Sequence, residues 1–72
     1  MSQVSQVEFS LAFIMGRLSA LVAEQSRAYV YAFDIEAPSD EVYFQSLEDY
    51  IFLAEQIQYC LIELDQIKRL LK

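Results

Sequence analysis

The chain has no histidine and no tryptophan, and only one cysteine, one proline and one glycine among its 72 residues. Each scarcity removes a class of function. Without histidine there is no ordinary zinc site, no Glu-x-x-His centre of the di-iron bundle type, and no Ser/His/Asp or Cys/His nucleophile set. Cys60 alone cannot form an internal disulfide, which fits a reducing compartment. With Gly16 as the sole glycine, no Gly-rich loop is present to cradle a phosphate. Neither an enzyme nor a cofactor is expected. Pro and Gly are also the residues that punctuate a chain into short elements, so their scarcity leaves room for long helices.

Basic residues are few: five Lys and Arg stand against eleven Asp and Glu, for a net charge of −6. Between Arg27 and Lys68 there are nine acids and no base. Nucleic-acid binders neutralise phosphates with clustered Lys and Arg, so DNA and RNA are excluded as partners, and an anionic lipid surface would be repelled. The acids from Asp34 to Asp49 gather toward one end, where they keep a greasy chain soluble or steer a basic partner.

What the chain has in abundance is apolar surface, 56% of its residues. A single domain over residues 1–72 is near the lower limit for a self-sufficient core, and a core of this size supplies roughly 3–5 kcal/mol. Disulfide and metal staples are absent, so a second chain is expected to complete the fold. The greasiest stretch, FSLAFIMGRLSALVA at residues 9–23, is shorter than the ~20 mostly apolar residues of a membrane span. Glu8 precedes it, Arg17 interrupts it, and no basic n-region of a secretory signal stands before it. The expectation is a cytoplasmic protein that does not insert into membrane.

The apolar periodicity predicts two helices. Val7, Leu11, Ile14, Leu18, Leu21, Gln25, Ala28 and Ala32 alternate in steps of four and three, a seam that runs along one face of a first helix over residues 6–32. Gln25 is its one polar member. Ser5 with Glu8 fits a capping box before it, and residues 1–4 are expected to fray. Pro38 cannot sit inside a helix and, with its neighbours, marks a connection over 33–39. Ser39 is the expected N-cap of a second helix over 40–71, with Asp40 and Glu41 in its first turn and Lys68, Arg69 and Lys72 at its negative end. Its seam reads Tyr43, Ser46, Tyr50, Leu53, Ile57, Cys60, Leu64, Ile67 and Leu71, widened by Leu47, Ala54 and Leu61. Asp65 and Arg69 form a favourable i,i+4 pair. The fold class is all-α: an antiparallel αα-hairpin completed by a partner chain or by dimerisation into a helical bundle.

Opposite the seam of the first helix lies a second apolar face of Phe9, Ala12, Phe13, Gly16, Ala20 and Ala23. Met15, Val22 and Tyr29 fall on the seam's margin. Two aromatics followed by small residues suit close approach of another helix, and close packing would offset the cost of about 1 kcal/mol for Gly16 inside a helix. Phe9, Phe13, Gly16 and Ala20 are the candidate docking residues, with Phe52 and Tyr59 on the charged back of the second helix as a secondary contact. The alternative for the same face is closure of a homodimeric four-helix bundle with a structural or regulatory role. Glu48, Asp49 and Glu55 read as a solvated outer surface, and Cys60 as a small hydrophobe on the seam.

The plan resembles the YscE-type small co-chaperones of type III secretion needle subunits, which are similarly short helical hairpins. The resemblance rests on SDEVYFQSLEDYIFLAEQIQYCLIEL, residues 39–64, with an early tyrosine, Tyr43, and a long apolar-patterned run ending in bulky aliphatics. It implies a cytoplasmic hairpin that docks on a tetratricopeptide-like co-chaperone, the pair keeping a needle subunit soluble before export.

Overall fold

The computed structural model describes residues 3–70. Two helices, α1 (Gln3–Tyr29) and α2 (Asp40–Leu70), lie antiparallel against each other and form a rod of 53 × 15 × 15 Å. The chain is an all-α hairpin. Leu71 and Lys72 fall outside the described residues, as do Met1 and Ser2.

The first seam packs as its spacing predicts. Along α1 and the turn after it, Ile14 and Ala32 are buried, and Val7, Leu11, Leu18, Leu21, Gln25 and Ala28 are half-buried. Every other residue from Gln6 to Ala32 except Val30 is exposed. On α2 the same logic places Cys60, 1% exposed, at the centre of the contact, with Ser46, Tyr50, Leu53, Ile57, Leu64 and Ile67 half-buried around it. Gln56 joins them although its polarity gave no sign of it.

Helix ends are set by local chemistry. The Val42 N–H donates to the Ser39 Oγ at 3.2 Å, so Ser39 caps α2, and Asp40 and Glu41 occupy its first turn against the positive end of the dipole. At the start of α1 the capping box is overruled: Ser5 is already inside the helix, which begins by Gln3. No glycine or proline stands before Ser5 to stop helix from propagating backward.

The other end of α1 also departs from the expected boundary. Phe33 and Asp34 belong not to the connection but to a wide helical turn, Val30–Asp34, closed when the Ile35 N–H donates to the Val30 carbonyl at 2.9 Å. Such a turn holds one extra residue and rotates less per residue, so Phe33 swings toward α2. Its ring lies 5.0 Å from Tyr50, edge to face, and 5.2 Å from Tyr29, while Tyr29 and Tyr50 are 6.0 Å apart. Aromatic pairs of this kind contribute about 0.5–1.5 kcal/mol each beyond area burial. The true connection is only 35–39, with Ile35 extended.

The hairpin hides little. Ile14, Ala32 and Cys60 are its only buried residues among those described. The chain exposes 5636 Å², whereas a compact monomer of 8.4 kDa exposes about 4,600 Å². The excess is on the order of 1,000 Å², comparable with the ~800 Å² that each partner contributes to a standard interface.

Candidate docking surface

The candidate residues are all free of the hairpin's own packing. Phe9 is 75% exposed and Phe13 64%, and Gly16, Ala20, Phe52 and Tyr59 are exposed as well. Phe9 and Phe13 stand together: with Ser10 and Ile14 they form one wall of a 370 Å³ groove whose other wall is Glu63 and Ile67. Phe52 lines a different groove, of 510 Å³, with Glu24, Arg27 and Ala28 opposite Asp49 and Leu53. A Cβ built on Gly16 meets nothing within 4 Å. The close packing expected around this glycine is therefore absent within the hairpin, and its helix-propensity cost goes uncompensated there.

The two grooves lie on one side of the rod, at opposite ends. Ser10 and Glu24 belong to a single seven-residue stripe on α1 that also contains Arg17, and Asp49 and Glu63 to a stripe on α2 that also contains Gln56. This side therefore carries a polar and charged strip along the helix junction. Arg27 pairs with Glu24 within the strip, and Gln45 Nε2 donates to Asp49 Oδ1 at 2.9 Å. The phenylalanines rise outside it, on the back of α1.

The opposite side differs. Its stripe on α1 is Met15, Val22 and Tyr29, each about half exposed, and its stripe on α2 contains Leu47, Ala54 and Leu61. Leu61 was expected to widen the internal seam and is 48% exposed, while the seam residue Tyr43 is 38% exposed. Sequence reasoning took these residues as margins of one seam. The antiparallel arrangement puts both margins on a common side, which periodicity within either helix alone does not reveal.

No metal-binding group of three His, Cys, Asp or Glu is present among the described residues. Cys60 is a free thiol with its side chain enclosed by the helix contact. The stretch Gln6–Asp34 is continuous helix of 29 residues, with a window of mean hydropathy 1.3, long and apolar enough by those measures to cross a membrane. The exclusion of a span on length alone, drawn from residues 9–23, therefore does not hold. Arg17 still lies inside that stretch, where a charge at the centre of a bilayer costs about 2.5–3.5 kcal/mol on insertion scales. No protein-family model, curated protein or solved structure matches the chain.

Proposed function

We propose that this chain is a non-enzymatic protein-binding adaptor, a co-chaperone in kind, that docks the back of α1 on another protein. The observation that carries this reading is the exposure of Phe9 and Phe13 side by side over a groove, next to an open Gly16 and Ala20. Large aromatics beside small residues form the anchor-and-approach pattern of a helix contact. The finer form of the proposal follows the resemblance of residues 39–64 to YscE-type co-chaperones. In it the hairpin sits on a tetratricopeptide-like co-chaperone in the cytoplasm, and the pair keeps a needle subunit soluble. The acidic surface around the connection supports solubility and repels nucleic acid.

The test is co-expression with the products of adjacent genes, followed by purification at fixed stoichiometry. A defined complex that survives purification, and that is lost in Phe9→Ala/Phe13→Ala while far-UV circular dichroism is unchanged, is the expected result. Retention of the complex by that variant overturns the assignment of the face. So does helix loss in proportion to binding loss, because it would place the phenylalanines in the hairpin's own core. Recovery of the chain with the membrane fraction when expressed alone, resistant to carbonate extraction, would replace a soluble adaptor with a membrane-spanning α1.

A further inference from the structure

The side of the hairpin without a charged strip carries an inference that does not depend on the docking of Phe9 and Phe13. On α2 the stripe at seven-residue spacing reads Asp40, Leu47, Ala54, Leu61, Lys68. Its ends are an acid and a base, its flanks are two leucines, and its centre is a small residue. Turned end for end and laid on itself, it places Asp40 against Lys68, Leu47 against Leu61, and Ala54 against Ala54. Asp40 and Lys68 lie about 42 Å apart at 1.5 Å per residue, nearly the full length of the helix. On α1, the position beside Ala54 is straddled by Val22 and Tyr29, since Ala28 faces Leu53 across a groove and Tyr29 packs on Tyr50. The reversal therefore also brings the half-exposed Val22 and Tyr29 of two copies together.

We propose that two copies of this chain associate through this side, with their connections at opposite ends, as a four-helix bundle centred on Ala54. The charge distribution argues for a direction. The connection end carries Asp34, Glu36, Asp40 and Glu41 with no base, while the other end is mixed, with Lys68 and Arg69 beside Glu8, Glu63 and Asp65, the last paired with Arg69. Connections at the same end would stack the four acids on four acids; connections at opposite ends set them against the mixed end, with Asp40 facing Lys68. The hairpin as a whole exposes about 1,000 Å² more than a compact monomer, enough to supply the ~800 Å² that one partner of a stable interface gives up. Ala54 at the symmetry axis lets the two α2 backbones approach, and the absence of charge from Met15 to Tyr29 and from Leu47 to Leu61 along the two stripes leaves no ion to desolvate. The Phe9 and Phe13 surfaces remain on the outside of such a bundle, one per copy, so self-association and partner docking stand or fall separately.

Light scattering on the purified full chain tests the inference. The expected mass is twice 8.4 kDa at low micromolar concentration, and Phe9→Ala/Phe13→Ala keeps it. Leu61→Glu is expected to give monomers. Asp40→Lys or Lys68→Asp alone weakens association about tenfold, two symmetry-related pairs being lost and reversed, and the double exchange restores it. That restoration cannot come from helix stability, because both exchanges oppose the dipole of α2. Ala54→Cys joins two copies through a short bis-thiol crosslinker, and Asp40→Cys does not. A monomeric wild type, a dimer indifferent to Leu61→Glu, failure of the double exchange to recover association, or crosslinking of Asp40→Cys to itself would each overturn the proposal.

Discussion

The two broad sides of the hairpin are built from the same pair of helices and differ in what flanks the seam. On one side the flanking stripes are Ser10, Arg17 and Glu24 with Asp49, Gln56 and Glu63; on the other they are Met15, Val22 and Tyr29 with Leu47, Ala54 and Leu61. The first edge carries one ion pair and one amide–carboxylate contact, and its apolar residues stand apart from the junction, on the outer backs of the helices. The second continues the buried seam outward through mostly apolar residues, with Gln58 among them and Glu8 and Asp65 only toward the open end. A polar rim around isolated aromatic anchors is the anatomy of a contact made and released, whereas a mostly apolar flank is that of a permanent bundle. The difference teaches that exposed apolar surface has to be read with its neighbours. Phe9 at 75% and Met15 at 55% exposed are comparable in number but not in setting.

Four variants press on that contrast. The largest effect is expected from Phe9→Ala/Phe13→Ala, which removes two anchors worth about 1.5–3 kcal/mol each when fully buried; titration calorimetry against a co-purifying partner should show at least a hundredfold loss of affinity with the helix signal intact. Next is Arg17→Leu/Glu24→Leu, which makes the first side as apolar as the second. If the charged strip is what separates the two, this variant assembles beyond the wild-type mass in light scattering, and an unchanged mass would show that the strip has no such part. Phe33→Ala deletes two ring contacts at the connection end and should lower the unfolding free energy in urea by about 1–3 kcal/mol. Gly16→Ala is the smallest and the most diagnostic. With nothing within 4 Å of the new Cβ, the free chain should gain about 0.5–1 kcal/mol in denaturant unfolding, and any loss of partner affinity would locate close approach at this point.

Much of this arrangement was legible before any coordinates. The seam from Val7 to Ala32 matches the burial of α1 because helix packing repeats at a spacing that sequence displays directly. Ser39 was legible as a cap because its hydroxyl has one obvious use there, and Asp65 with Arg69 as a pair, which forms at 3.0 Å between exposed side chains. The wide turn at Val30–Asp34 was not, since Val-Tyr-Ala-Phe-Asp carries no glycine, proline or cap to announce it, and its benefit, bringing Phe33 onto Tyr50, depends on the other helix. Nor was the character of each side. Exposure of Leu61 and Met15 follows from the register and handedness of two distant segments, a relation that no window along one helix contains. The candidate residues Phe9, Phe13, Gly16, Ala20, Phe52 and Tyr59 proved exposed, yet Phe9 and Phe13 line one groove and Phe52 another at the opposite end.

The ring cluster beside the short connection also sets the order in which the molecule is made. Tyr29, Phe33 and Tyr50 meet across a short loop at the connection end, and short closures carry the least entropy cost. Formation is therefore expected to start at that end and zip toward Ile14 and Ile67, with the speed of a low-contact-order helical fold. Opening runs the other way. Amide hydrogens near Val7 and Leu64 should exchange first and those around Ala32 and Tyr50 last, so the end that carries Phe9 and Phe13 is also the end that breathes.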